Sequence, residues 1–111
     1  MSGITTHVLD TSRGRPAGGV PVTLEVRSGD GWKTLGRART DPDGRAHELF
    51  GGEIAAGTYR LTFDTASYFE ASGAQGFFPL AQIVFEVRDP SQSHHVPLLL
   101  SPFSYSTYRG S

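Results

Sequence analysis

Cysteine and asparagine are both absent from this chain of 111 residues. Without cysteine there can be no disulfide framework, zinc–thiolate site, iron–sulfur cluster or thiol nucleophile. Without asparagine there is no acceptor for N-glycosylation. The lack of cysteine is consistent with a reducing compartment, and it is also compatible with export.

Long apolar runs are missing as well. No stretch of the sequence approaches the ~20 apolar residues that a membrane-spanning helix needs. Residues 1–7 have neither the basic start nor the apolar core of a secretory signal peptide. We therefore predict a cytoplasmic protein that has no membrane partner.

Neither sign of charge is in excess, since 10 Lys and Arg oppose 11 Asp and Glu. A protein that binds the phosphate backbone normally carries a basic patch or a high pI, so we predict no nucleic-acid partner. The length fits one domain and leaves no room for two. We expect residues 1–111 to form a single domain.

Turn-forming residues are abundant, with 14 Gly and 7 Pro dividing the chain into short segments. Apolar and polar residues alternate over 22–27, 58–63 and 82–88, a period typical of half-buried strands. Residues 41–44 (Asp-Pro-Asp-Gly) have the chemistry of a tight turn. Seven or eight short strands at this spacing predict an all-β fold, an antiparallel β-sandwich.

One segment departs from the strand pattern. Asp64 and Thr65 are candidate N-cap residues, residues 66–72 tolerate helix, and Gly73 is a typical stop. The segment predicts one short helix in an otherwise all-β domain.

Two histidines are predicted on outward strand faces. If the even-numbered residues of segments 4–9 and 95–100 face the core, His7 and His95 point outward beside apolar neighbours such as Leu99. Such a mixed face favours a partner or an enclosed site. Isolated surface histidines on strands are also ordinary, and the residue pattern alone leaves both interpretations open.

The other candidate positions have simple structural interpretations. Arg45 follows a turn, where a solvated charge is usual, and residues 108–111 would by default be a frayed terminus. His47 and His94 are interpreted as surface or structural residues. The adjacent pair at 94 and 95 does not indicate a metal site, because neighbours on a strand face opposite ways and no carboxylate cluster accompanies them. If the chain is an enzyme, histidine is its best-supplied general base.

The sequence resembles the transthyretin-like family, and within it the enzyme branch of 5-hydroxyisourate hydrolases. The matching segments are 6–10, 14–17, 40–45, 64–69, 77–79 and 95–111. The hormone-carrying branch has lysine, glutamate and threonine where this chain has His7, Arg45 and His95. That branch also continues past the position where this chain ends in Tyr-Arg-Gly-Ser at 108–111. All four differences point to the enzyme branch.

The resemblance implies a two-sheet sandwich, a homotetramer built as a dimer of dimers, and active sites in a central channel. It implies hydrolysis of 5-hydroxyisourate to 2-oxo-4-hydroxy-4-carboxy-5-ureidoimidazoline in urate catabolism, with no metal and no cofactor. His7, Arg45 and His95 would be catalytic: the histidines activate water and shuttle protons, in an order left open, and Arg45 stabilises negative charge. The residues expected to bind substrate are His7, Arg45, His95, Tyr108, Arg109, Gly110 and Ser111.

Two other functions are retained as alternatives. One is a transthyretin-like carrier that binds a small aromatic or hormone-like ligand in the same channel. The other is an adhesive or regulatory β-sandwich module, which would be a monomer.

Overall fold

The computed structural model describes residues 3–47 and 49–111, which contain nine strands and one helix. The elements are β1 (Gly3–Asp10), β2 (Arg15–Pro16), β3 (Pro21–Ser28), β4 (Gly31–Arg39), β5 (Arg45–Ala46), β6 (Gly57–Phe63), α1 (Thr65–Ser72), β7 (Ala81–Val87), β8 (Ser93–Ser101) and β9 (Ser104–Thr107). One sheet has the order β2-β1-β8-β9, with β5 also paired to β1, and the other has the order β4-β3-β6-β7. The predicted all-β sandwich with one short helix is confirmed.

The core lies between the two sheets and follows from the alternation in the strands. Leu24 and Leu61 from one sheet meet Val8 and Leu98 from the other, and all four are fully buried. Burial of each such side chain contributes about 1.5–3 kcal/mol. The alternate residues of β1 and β8 are thereby turned to the outer face, as predicted for His7 and His95.

The two central strands of the first sheet run parallel. β1 pairs with β8 over their whole length, and Thr5 lies opposite His95. All other pairings among the strands of residues 3–47 and 49–111 are antiparallel. Since partners in register project from the same face, this parallel pair carries polar residues from both ends of the chain onto one surface.

The helix is capped as predicted and is anchored to β1. Asp64 accepts a hydrogen bond from the N–H of Ser67 at 3.0 Å, and Gly73 ends the helix with a φ of 76°. The hydroxyl of Tyr68 donates to Oδ2 of Asp10 at 2.6 Å. No helix within the described ranges is long and apolar enough to cross a membrane.

The Asp10–Tyr68 hydrogen bond is buried, and it shifts the pKa of both groups. Burial opposes the charged form of Asp10, yet hydrogen bonds from Ser12, Tyr68 and Arg13 hold its pKa below the ordinary value. Burial and then the bond to the carboxylate raise the pKa of Tyr68 to about 12. The pair therefore links the helix to the sheet that carries the outward histidines.

Pro97 interrupts the last ladder of the first sheet. The pairing of β8 with β9 begins at Leu98 and Thr107, and the same register would place Tyr108 opposite Pro97. Because proline has no N–H, it cannot complete that pair, and the carbonyl of Pro97 accepts instead from the hydroxyl of Thr107 at 2.7 Å. The missing N–H of Pro97 therefore falls at a position that the β8–β9 ladder leaves unpaired.

Candidate functional site

Arg45 lies beside His7 on the outer face of the first sheet. The short strand β5 pairs with β1 so that these two residues are directly opposite. Opposite residues of an antiparallel pair project from the same face, with Cβ atoms about 4.5–5.5 Å apart. The guanidinium of Arg45 is exposed and makes no hydrogen bond or salt bridge within the described part of the chain. Its five N–H donors are available to a ligand.

The turn before β5 fixes the position of Arg45. Oδ1 of Asp41 accepts from the backbone N–H groups of Asp43 at 2.9 Å and Arg45 at 3.0 Å. The Arg45 hydrogen bond is the main cause that lowers the pKa of the Asp41 carboxyl. Gly44 has a φ of 79°, and a side chain there would collide with the carbonyl oxygen of Val8. The turn chemistry seen in the sequence therefore serves to dock residues 41–45 against β1.

His7 is held by the same turn. Its Nε2 lies 2.9 Å from the carbonyl oxygen of Asp43. A carbonyl can only accept, so Nε2 carries a proton and donates it. In the neutral imidazole this leaves the lone pair on Nδ1, which makes His7 a suitable proton acceptor.

His95 occupies the neighbouring strand on the same face. Its Nδ1 lies 2.8 Å from Oγ1 of Thr5, the residue opposite it in the parallel pair. Burial lowers the pKa of His95, and the positive charges of Arg45, His7 and His47 lower it further. The lowered pKa favours the neutral form of His95. The polar groups of three strands thus lie on one surface.

The C-terminal residues return to this surface. The N–H of Gly110 donates to the carbonyl of His95 at 2.8 Å. A Cβ at position 110 would lie 2.5 Å from Cδ2 of the imidazole. The interpretation of residues 108–111 as a frayed end does not fit this contact. Tyr108, two residues before Gly110, is 55% exposed. Ser111 follows Gly110 and is also exposed.

Arg109 is directed elsewhere. Its Nη2 donates to Oε1 of Gln92 at 3.2 Å and lies 3.5 Å from the carbonyl of Ser93. Arg109 lies beyond the end of β9, and its guanidinium is bonded to residues 92 and 93 instead of contacting the imidazole of His95. The structure thus places His7, Arg45, His95 and Gly110 together, and it places Arg109 over the loop before β8.

The remaining histidines have different positions. His94 is only 5% exposed and faces the interior, opposite to His95, as the strand alternation predicts. Its Nδ1 has no hydrogen-bond partner among residues 3–47 and 49–111. His47 is exposed, and its charge is the smallest of the causes that lower the pKa of His95. No group of three or more His, Cys, Asp or Glu within the described residues could hold a metal ion.

Sequence reasoning missed Thr5 and the carbonyl of Asp43. Thr5 precedes His7 by two residues, so the strand alternation already places it on the same face. Nothing local indicates that it meets His95, 90 residues away, because that contact depends on the parallel register of β1 and β8.

The chain matches a known protein family along nearly its whole length. The family model described as the HIUase/Transthyretin family matches residues 4–110. This chain belongs to that family. The 5-hydroxyisourate hydrolase of Caulobacter vibrioides is 47% identical over 115 residues, which cover 100% of both chains.

Solved structures of the family show how widely this fold is shared. The Klebsiella pneumoniae 5-hydroxyisourate hydrolase has a TM-score of 0.89 and 38% identity, covering 100% of both chains. Sea bream transthyretin in complex with thyroxine has a TM-score of 0.91 and 34% identity, covering 96% of this chain and 93% of that one. Because a hydrolase and a hormone-binding protein superpose equally well, the fold does not separate the functions. The site residues have to do so.

Proposed function

We propose that this protein hydrolyses 5-hydroxyisourate to 2-oxo-4-hydroxy-4-carboxy-5-ureidoimidazoline in urate catabolism. The observation that carries the proposal is the register of three strands, which puts Arg45 opposite His7 and His95 on the adjacent strand of the same face. Curated relatives named 5-hydroxyisourate hydrolase at 44–47% identity support the same substrate. The family model supports a single working domain over nearly all of residues 1–111.

The reaction needs a proton acceptor, a proton donor and a partner for negative charge. Water adds to a ring carbonyl carbon, forming a C–O bond and a tetrahedral oxyanion. The adjoining C–N bond then breaks, so that the carbon becomes a carboxylate and the nitrogen takes a proton. His7 and His95 handle the protons, an effect usually worth about 10²–10⁴ in rate. Arg45 binds the substrate oxygens through its planar donors and stabilises the developing charge.

The C-terminal residues complete the pocket in this scheme. Tyr108, Gly110 and Ser111 shape it and hydrogen-bond the substrate, and Arg109 supports the chain that carries them. The imidazoles and the guanidinium supply the proton transfer and the charge stabilisation, so the reaction needs neither a metal nor an organic cofactor. Full activity in the presence of a chelator is the expected result, and its loss would contradict this part of the proposal.

An enclosed site requires further copies of the chain. The face that carries His7 and His95 also contains the half-buried Leu9 and Leu99, a mixture suited to being covered. Tyr108 is a large exposed side chain beside this face, and Phe77, Leu80, Val84 and Phe103 are large exposed apolar side chains elsewhere. We propose a homotetramer, a dimer of dimers, whose channel is lined by this face. Sedimentation equilibrium should give four times the chain mass of 12.0 kDa. A monomer would contradict this proposal and favour a β-sandwich module.

The product is the sharpest test of the reaction. Urate labelled with ¹³C is oxidised by urate oxidase in the presence of the protein, and NMR spectra follow the ring carbons. We expect one amide carbonyl signal to be replaced by a carboxylate signal faster than without the protein. If the folded protein leaves that rate unchanged, the carrier function becomes the better explanation, and ligand binding in the channel should then be measured.

A further inference from the structure

The imidazole of His95 is held from two sides. Oγ1 of Thr5 lies 2.8 Å from Nδ1, and the backbone of Gly110 packs against the Cδ2 edge of the ring. Nε2 and Cε1 are the ring atoms that neither neighbour engages. The direction of the hydrogen bond at Nδ1 therefore decides whether Nε2 presents a proton or a lone pair.

The surroundings of Thr5 indicate that direction. A threonine hydroxyl has one proton to donate and two lone pairs. Within residues 3–47 and 49–111, Oγ1 of Thr5 has His95 Nδ1 as its hydrogen-bond partner and no other acceptor. If Nδ1 of His95 were protonated, this half-buried hydroxyl would have no acceptor for its own proton among the described residues. Donation from Thr5 to Nδ1 satisfies both groups.

We propose that Thr5 is a positioning residue whose hydroxyl donates to Nδ1 of His95 and keeps the imidazole proton on Nε2, facing the open side of the sheet. This inference rests on the proposed function, and it deepens it by assigning the two histidines different tasks. Thr5 itself touches no substrate and acts only through His95.

The two imidazoles then differ in the group that they present. His7 uses Nε2–H to hold the carbonyl of Asp43 and presents the lone pair of Nδ1. His95 presents Nε2–H. His7 takes the proton of the attacking water at Nδ1 and later gives it to the leaving nitrogen. His95 donates a hydrogen bond to the carbonyl oxygen as it becomes the oxyanion, alongside Arg45.

The tautomers can be measured directly in the free protein. Long-range ¹H–¹⁵N correlation spectra of the labelled wild-type protein, recorded where both rings are neutral, should show the Nε2–H form for His7 and for His95. A dominant Nδ1–H form of His95 would overturn the inference. This measurement does not depend on whether the protein hydrolyses 5-hydroxyisourate.

Substitution of Thr5 tests its role. Thr5→Val keeps the shape of the side chain and removes the hydroxyl, and we expect kcat to fall about 3- to 10-fold, the scale of one neutral hydrogen bond, with little change in KM. The fraction of His95 in the Nε2–H form should also fall towards that of a free histidine side chain. Thr5→Ser restores the hydroxyl and should recover both the tautomer and kcat to within about twofold.

Thr58→Val is the matched control. Thr58 also lies on a strand and donates to a side chain, Oε1 of Glu86 at 3.2 Å, in the other sheet. The Thr58→Val substitution should leave kcat and the His95 spectrum unchanged. If Thr5→Val keeps the full rate and the wild-type tautomer, the inference about Thr5 fails while the proposed function stands. If the wild-type protein does not accelerate hydrolysis, the proposed function fails, whatever the spectra show.

Discussion

Gly110 donates its backbone N–H to the carbonyl of His95 at 2.8 Å and lies so close to the imidazole that a Cβ would be 2.5 Å from Cδ2. The residue has no positive φ, so its backbone conformation does not call for glycine. The requirement is space, because only a glycine lets the C-terminal chain approach the ring.

Gly110→Ala should therefore displace the His95 ring or the C-terminal chain. A shift of about 1 Å at a reacting group can cost up to about 100-fold in rate, and we expect kcat/KM to fall about 10- to 100-fold. The melting temperature should change little. Gly31→Ala is the control, since a Cβ at position 31 meets nothing within 4 Å. Wild-type activity in Gly110→Ala would show that the contact with His95 has no role in the reaction.

Substitution of either outward histidine should lower kcat far more than substitution of the inward His94. His7→Asn or His95→Asn should lower kcat by about 10²–10⁴, because each removes a group that handles protons or donates to the oxyanion. His94→Leu keeps the buried volume on the inner face and should remain within about threefold of the wild type. Steady-state kinetics give kcat for each of the three variants and for the wild type. Equal losses at positions 94 and 95 would mean that the site does not lie on the outer face.

The charge of Arg45 should contribute to the lowered pKa of His95. Burial is the larger cause of the lowered pKa of His95, and the guanidinium adds to it. Arg45→Met removes that positive charge, so the pKa of His95 should rise towards 6.5. kcat/KM should also fall, because a substrate contact is lost. NMR titration of His95 gives the pKa directly.

Arg37→Met is the control for that titration, since Arg37 lies on β4 of the other sheet. It should leave the pKa of His95 where it is. A pKa of His95 that stays the same or falls in Arg45→Met would contradict the electrostatic part of the account.

The buried hydrogen bond between Tyr68 and Asp10 should contribute to the free energy of unfolding. Tyr68→Phe leaves the Asp10 carboxylate, 2% exposed, without one of its donors, so we expect a loss of about 1–3 kcal/mol in the free energy of unfolding. Tyr105→Phe should stay within about 0.5 kcal/mol, because the Tyr105 hydroxyl has no hydrogen-bond partner within the described residues. Denaturant unfolding at pH 7 measures both. Equal stability of Tyr68→Phe and the wild type would contradict this role.

The pH dependence of unfolding gives a second readout of the same pair. The pKa of Tyr68 is raised from 10.0 to about 12. The native state therefore binds its proton more tightly, and the stabilisation is complete below pH 10 and is lost as the pH rises towards 12. The pKa of Asp10 is lowered, so its contribution is present above its unfolded pKa and is lost as the pH falls through the native one. Tyr68→Phe should flatten the alkaline slope.

The sequence predicts much of this architecture because strand alternation is local. The outward positions of His7 and His95 and the inward position of His94 follow from the period of two residues. The capped helix follows from Asp64 and Gly73 in the same way.

The local pattern of apolar and polar residues does not show which strands pair or in which register. The parallel pairing of β1 with β8 brings Thr5 to His95, and neither segment indicates that the two strands are neighbours. The direction of Arg109 likewise depends on Gln92 in a distant loop. The assignment of His7, Arg45 and His95 to one site came from the resemblance to a family, and the register explains how they meet.

The most direct test of the central claim is the rate at which freshly made 5-hydroxyisourate disappears. The compound is generated in place by urate oxidase and followed by its ultraviolet absorbance, with wild-type protein, with His7→Asn and with no protein added. We expect the wild type to accelerate the decay and His7→Asn to return it close to the spontaneous rate. A folded wild-type protein that leaves the spontaneous rate unchanged, or a His7→Asn variant as fast as the wild type, would contradict this expectation.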